Sequence, residues 1–290
     1  MPRPETLLRG RGASANAQKS GPAIPQTPEG LEKLNSLVSS IEELRRAGYV
    51  VEKLSHDELE KKKRCATCGV RSGAMASEAT PNELYYSPKS KLTATATLLR
   101  HCKLPNLRFC AASFTLTWTC CGNHVSEAPC TAKEDHDVTE GSQSIQQRWQ
   151  FHMTPPNKRP AHRLAVAIDC EMGTAFDGDT ELIRLTLIDY FSGETLIDSL
   201  VYPDIPMKHF NTRWSGITRG DMEASRRKRL CIHGRNAARR AVFRFVGRST
   251  IVVGHGAQSD LSALRWIHHR VVDSFIVESV RRKHNMLNWG

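Results

Sequence analysis

The sequence lacks any long hydrophobic run. No stretch of its 290 residues approaches the roughly 18 consecutive apolar residues of a membrane-spanning helix, which excludes a helical membrane span. The N-terminus has no apolar segment of the kind a secretory signal needs, so none is expected. No internal repeat is evident. Acidic residues are comparatively few, 30 Asp and Glu against 41 Lys and Arg, for a net charge of +11. Such an excess bears on partners and not on fold, and a polyanion such as nucleic acid is the leading candidate. A hydrophobic fraction of 39% with nine Phe, five Trp and five Tyr can fill a core, so wholesale disorder is excluded.

The nine cysteines are an odd number, which fits a closed disulfide framework poorly. Seven of them fall within residues 65–130, while Cys170 and Cys231 stand alone. In a reducing compartment such clustering reads as metal ligation before cross-linking. Cys65-Ala-Thr-Cys68-Gly is a zinc-knuckle half-site. Trp118-Thr-Cys120-Cys121 leads on to Pro129-Cys130 and His136. With Cys102, Cys110 or His101 these make enough ligands for two tetrahedral Zn²⁺ ions; the alternative is a set of buried or free thiols.

Composition divides the chain into a Pro/Gly-rich disordered tail over 1–30, a helical segment over 31–64, the Cys/His-rich module over 65–136, a polar linker over 137–162 and a folded domain over 163–290. Leu31, Leu34, Leu37, Val38, Ile41 and Leu44 repeat at helical spacing up to Gly48. Asp57-Glu58-Leu59-Glu60 before Lys61-Lys62-Lys63-Arg64 fits a second short helix. Its basic end is either solvated or a nuclear import signal. Past residue 163 the pattern changes. Leu164–Ile168, Leu182–Tyr190 and Thr195–Tyr202 read as three strands, with Ser192-Gly193 as a turn. Then come a helix on Ala238, Ala241, Val242 and Phe245, a strand over Thr250–Val253, a helix over Ser259–His268, and a strand at Val271-Val272. This order predicts an α/β domain with a mixed sheet and helices packed on it.

Chemistry concentrates at Ala167-Ile168-Asp169-Cys170-Glu171-Met172. Acids at i and i+2 of a strand project to the same side, and two carboxylates at a sheet rim repel unless a cation lies between them. Hard oxygen ligands favour Mg²⁺ or Mn²⁺, and two such ions can activate a water and stabilise the leaving oxygen of a phosphodiester. Taken alone, a D-x-E is more often a solvated strand end. Downstream, a strand runs through Gly254-His255-Gly256 into a helix carrying Asp260, a third carboxylate able to close the site. Asn211–Thr218 offers hydroxyls, an aromatic and a turn suited to a sugar or base.

The order AIDCEM, NTRWSGIT, VVGHGAQSDLSALRWIH and VVDS resembles the Rex-type RNA exonucleases of the DEDD superfamily, especially the fungal ones, over about residues 163–280. The resemblance implies a ribonuclease H-like fold and 3′→5′ removal of nucleotides with two divalent ions. Asp169, Glu171 and Asp260 match the family's metal-binding catalytic acids. Met172, Thr212, Trp214, Ser215, Gly216 and Ile217 match its substrate-binding segments. The Cys/His stretch is similar to the module preceding the nuclease domain in fungal Rex-like proteins. The family also carries a histidine base and a fourth acid spaced H-x4-D. The chain ends roughly 30 residues past Asp260, before that motif is due, so the expectation is a chain nearly inactive as written. His268 and Asp273 share the spacing, but so do His255 and Asp260; the bland reading is a helix-end histidine and a strand-end aspartate.

Between Lys208 and Arg248 twelve Lys and Arg face only Asp221 and Glu223, a surface suited to phosphates. Arg226-Arg227-Lys228-Arg229 is an import signal or a solvated loop, and Trp214 stacks on a base or is simply packed. The expected partner is RNA with a single-stranded 3′ end, with DNA left open and no membrane. The expected location is the nucleus, with the cytoplasm as alternative. The alternative function is a catalytically impaired RNA-binding relative of the same fold.

Overall fold

A computed structural model describes residues 24–63, 99–100, 105–110, 113–118, 132–133, 144–156 and 159–279. The described residues fall into two units, one from Met1–Leu54 with Gln150–Gly290 and the other from Ser55–Trp149. No helix among them is long and apolar enough to cross a membrane.

The first unit opens with helix α1 (Pro28–Ser36) and helix α2 (Ile41–Arg46). The periodicity from Leu31 to Leu44 reads as one helix, but the chain breaks it in two. Ser40 accepts from the Glu43 N–H while the Glu43 carboxylate accepts from the Ser40 N–H, a capping box that starts a new helix and outweighs the apolar spacing. Leu34 and Leu44 are buried, whereas Leu37 and Ile41 at the break are exposed. Gly48, at φ +85°, ends α2 in the left-handed region. The tail expected over 1–30 gives way at Ile24, whose N–H bonds the Phe191 carbonyl.

The second unit contains α3 (His56–Glu60), capped by Ser55, and the short strands β1 (Leu99–Arg100), β2 (Pro105–Cys110), β3 (Ser113–Trp118) and β4 (Ala132–Lys133). Strands β1 and β4 pair antiparallel, as do β2 and β3, and α4 (Ile145–Arg148) closes the unit. The zinc candidates Cys65, Cys68, Cys120, Cys121, Cys130 and His136 lie outside the described residues.

Returning to the first unit, β5 (His152–Met153) emerges from the stretch expected to be linker and pairs with β12. The sheet then forms from β6 (Ala165–Ala175), β7 (Thr180–Asp189), β8 (Thr195–Tyr202) and β9 (Met207–His209). Next come α5 (Thr212–Ser215), α6 (Arg219–Arg227), β10 (Ile232–His233), α7 (Gly234–Val242), β11 (Ile251–Gly254), α8 (Gln258–Ala263), β12 (Trp266–Ile267) and β13 (Val271–Asp273). Residues 274–279 are helical. The sheet order is β10-β8-β7-β6-β11-β13, with β9 also on β6. Strand β6 runs antiparallel to β7 and parallel to β11, and β11 parallel to β13. This is the expected mixed sheet flanked by helices.

The period-2 alternation splits the sheet into two faces. Val166, Ile168 and Cys170 join Leu185, Leu187 and Ile197 in the main core under α7 and α8. Ile183, Ala175, Met207, Phe210, Ile217 and Met222 form a second cluster. The helix expected over Ser259–His268 stops at Ala263 because Arg265 turns to φ +49° and Trp266-Ile267 leaves to pair with β5.

The N-terminal segment belongs to this core. Leu44, fully buried, packs with the sheet residues, the Ser39 N–H bonds the Val271 carbonyl, and His269 Nε2 lies 2.8 Å from the Val51 carbonyl. Leu44→Ala is therefore expected to destabilise the sheet-bearing unit by about 2–5 kcal/mol, as a cavity in its core would. Urea unfolding followed by the fluorescence of buried Trp266 checks this. No change in that transition would mean the segment is only appended.

Candidate active site

Strand β6 is held on its β11 side only over Ala165–Ala167, which pair with Ile251–Val253. Beyond that point β11 turns off through Gly254, and the edge of β6 is free of backbone partners from β11. The D-x-E motif sits there. Cys170 points into the core, while Asp169 is exposed and Glu171 half-buried on the opposite face. A register shift between Glu171 and Met172 marks a bulge against β7, a common device for aiming side chains at a site.

Asp260, on α8, closes the gap: its Oδ1 accepts the Cys170 N–H at 2.7 Å. This carboxylate therefore meets the backbone midway between Asp169 and Glu171. It is buried, and burial together with the negative charge of Asp169 pushes its pKa up to about 7, against the opposing pull of the Cys170 N–H. Burial and the Asp169 charge also raise Glu171, while Arg184 lowers it. The charge of Asp169 thus reaches both Glu171 on its own strand and Asp260 on α8. Their donor set is all carboxylate oxygen, the chemistry that suits a hard divalent cation. Among the described residues no group of three or more His, Cys, Asp or Glu side chains is gathered closely enough to hold a metal ion.

Arg184, which motif reading misses, and Asn211, which it reaches only as the first residue of NTRWSGIT, support this corner. Arg184 lies opposite Glu171 in the β6–β7 register, and its Nε and Nη2 donate to Asp198 Oδ1 on β8 at 3.0 and 2.8 Å. Asn211, at φ +52°, donates from Nδ2 to the Met172 carbonyl at 3.1 Å. Cross-strand partners of a D-x-E can be sought once strands are assigned, but their register is not written in any local pattern.

The segment Asn211–Thr218 divides by role. Thr212 Oγ1 donates to the Ile217 carbonyl, and Ser215 Oγ donates to the Phe210 carbonyl while accepting from the Ile217 N–H. Ser215 and Ile217 are buried, and Gly216, at φ +67°, makes the turn. These four residues build a rigid turn with their polar groups engaged inside it. Trp214 is what the turn presents, 78% exposed, with the Arg213 guanidinium over its ring.

The basic stretch is less available than its count implies. Arg239 is buried and donates to the Leu264 carbonyl and Asn236, and Arg235 pairs with Glu181. Arg226, Arg227, Lys228 and Arg229, at the end of α6, are exposed, with Arg226 bonded to Glu223.

His268 and Asp273 face inward. His268 lies between Thr154 Oγ1 and the Thr250 carbonyl, each at 2.8 Å, and burial pushes its pKa down to about 4. Asp273 accepts from the N–H groups of Gly256, Ala257 and Phe275. None of these partners is Asp169, Glu171 or Asp260.

The chain can now be set beside known proteins. No family model matches it. It is 26% identical over 282 residues to the RNA exonuclease 3 of Candida glabrata, covering 94% of this chain and 64% of that protein. It is 30% identical to the RNA exonuclease 3 of Candida albicans, with 55% of this chain and 39% of that protein covered. To the human apoptosis-enhancing nuclease it is 36% identical, with 40% and 36% covered. The chain spans less than two thirds of each of these relatives. Among solved structures, the Pan2 catalytic unit of Neurospora crassa matches at 17% identity and a TM-score of 0.34, over 46% of this chain and 25% of that one. The chain is thus similar over most of its length to fungal proteins named RNA exonuclease 3, and over part of it to one named RNA exonuclease 1.

The buried placement of His268 has a measurable consequence. Its imidazole stays neutral in the fold to about pH 4 but takes a proton near pH 6.5 when unfolded, so the unfolded state binds more protons in that window. Its contribution is full above pH 6.5 and is lost as pH falls toward 4, worth up to roughly 3 kcal/mol. Asp260, raised in the fold, has the opposite slope over much of this range, so the test is a difference. The stability gap between wild type and His268→Gln is expected to shrink from pH 7 to pH 4. A gap independent of pH would contradict the neutral, buried assignment.

Proposed function

We propose that this chain is a 3′→5′ exoribonuclease of ribonuclease H-like fold, acting on RNA in processing or degradation. The observation that carries the reading is the Asp260 carboxylate on the amide of Cys170, the residue between Asp169 and Glu171 on β6, in a chain whose relatives are named RNA exonucleases. The three carboxylates would hold two Mg²⁺ or Mn²⁺ ions. Ions so placed supply water activation and charge stabilisation at the leaving oxygen.

The remaining residues serve the substrate. Trp214 offers a face on which a terminal base stacks, worth about 1–3 kcal/mol per base in single-strand binders. Asn211 fixes the Met172 carbonyl at the same edge. The exposed Arg226–Arg229 run supplies phosphate contacts that are insensitive to sequence and sensitive to salt. Zinc in the Cys/His stretch, held by Cys65, Cys68, Cys120, Cys121, Cys130 and His136, is proposed on spacing alone.

With His268 and Asp273 engaged elsewhere and no other residue matched to the base and fourth acid, turnover should be slow: single-stranded RNA labelled at its 5′ end should shorten weakly, in one-nucleotide steps, with Mg²⁺ or Mn²⁺ present and remain intact with EDTA. Asp169→Asn or Asp260→Asn should slow this by at least about 100-fold, the loss typical when a group stabilising transition-state charge is removed. Early release of the 5′-terminal nucleotide, or undiminished rates in both variants, would refute the reading. Tight RNA binding with no metal-dependent shortening would favour the RNA-binding relative. Arg227→Ala and Arg229→Ala should each lower the slope of log affinity against log salt by about 0.7; unchanged slopes would move the phosphate path elsewhere.

A further inference from the structure

The fold ties its N-terminal segment to the carboxylate corner through one hydroxyl. The turn after α2 aims Tyr49 inward, with the Tyr49 N–H bonded to the Leu44 carbonyl and Gly48 in the left-handed region. Tyr49 is buried, and its hydroxyl donates to Asp273 Oδ2 at 2.5 Å, across 224 residues of sequence. Asp273 is itself buried, and it grips the turn that starts α8. Its Oδ1 accepts the Gly256 N–H at 2.8 Å and its Oδ2 accepts the Ala257 N–H at 3.1 Å. Gly256 stands at φ +62°, and Ala257 is the N-cap of α8, three residues before Asp260. The links run Tyr49 to Asp273, Asp273 to the Gly256–Ala257 turn, and from there to Asp260 on the Cys170 amide.

We propose that Tyr49 is a positioning residue for the carboxylate site, which makes the N-terminal segment a working part of the nuclease and not a tether. The proposal rests on the exonuclease reading for what the site holds. Asp273 Oδ2 has two donors, the Ala257 N–H and the Tyr49 hydroxyl, so the hydroxyl is one of the two groups that fix this oxygen over the turn. Without the hydroxyl, Oδ2 keeps only the Ala257 N–H, the hold on the turn weakens, and with it the fixed place of Asp260 on the Cys170 amide. The burial and the neighbouring Asp273 and Asp260 charges that hold the Tyr49 phenol above its ordinary range fit this closeness. Outer partners of this type alter metal affinity by about 10–100-fold when removed from known sites.

The test uses the full chain and Mn²⁺, followed by the electron paramagnetic signal of the free ion. The relevant binding is the part that disappears in Asp260→Asn. Tyr49→Phe, which deletes only the hydroxyl, is expected to weaken that part about 10-fold or more. It should also speed hydrogen exchange at the Gly256 and Ala257 amides. Val51→Ala loosens the same segment without touching Asp273 and should change the affinity less than about twofold. Equal Mn²⁺ affinity and exchange in wild type and Tyr49→Phe would overturn the proposal, as would an equal loss in Val51→Ala, and either would leave the exonuclease reading standing. Absence of any Asp260-dependent Mn²⁺ binding in wild type would instead overturn that reading and this proposal with it. A measurement without a variant covers the case in which Tyr49→Phe does not fold. Saturating wild type with Mn²⁺ should slow exchange at Gly256 and Ala257, and unchanged exchange would also overturn the proposal.

Discussion

A single hydrogen bond, from the Cys170 N–H to Asp260 Oδ1, joins the two elements on which the site depends. It exists because the parallel pairing of β6 with β11 ends at Ala167 and Val253. Past that register, an amide of β6 would face open space, and an unpaired backbone donor in a buried setting is costly. Asp260 meets that need from α8. The same contact that completes the backbone hydrogen bonding therefore brings a third carboxylate to the edge where Asp169 and Glu171 already stand. Ligand sites of parallel sheets lie beyond the carboxyl ends of strands for a related reason, since the ladder stops there and polar groups are left to be used.

Gathering like charges works against folding, and the neighbourhood shows how this is offset. Burial and the Asp169 charge hold Asp260 up to about 7, so part of the repulsion is relieved by protonation when no cation is near. Arg184, anchored by Asp198, counters Glu171 from the neighbouring strand. Elsewhere in the same unit, His268, Thr154 and Trp266 form a buried set in which Trp266 Nε1 donates to Thr154 Oγ1 at 2.8 Å.

Much of this was legible in the sequence, and what was not has identifiable causes. Strand β8 occupies Thr195–Tyr202 as its alternation requires, and β6 and β7 extend the runs expected of them. The side on which Asp169 and Glu171 project follows from period 2 alone. The break between α1 and α2 was also written, in Ser40 and Glu43, but the apolar spacing through Ile41 outvoted it. The short α8 was not, because Trp266 leaves the helix to pair with β5, a partner more than a hundred residues earlier in a polar stretch. The docking of Tyr49 under Asp273 was equally hidden, since no local pattern encodes a contact across 224 residues. Counting charge between Lys208 and Arg248 overstated the basic surface, because burial and pairing remove Arg239 and Arg235 from it. Hydroxyls in Thr212 and Ser215 look like ligands for a sugar, yet turns use such groups first for themselves.

The central claim is that Asp169, Glu171 and Asp260 together bind divalent cations. Anomalous diffraction from crystals of the full chain soaked in Mn²⁺ addresses it directly. Manganese peaks bounded by the carboxylates of all three residues, and absent from crystals of Asp260→Asn, are the predicted result. Manganese confined to other sites, with the Asp260 carboxylate still on the Cys170 amide, would contradict the claim.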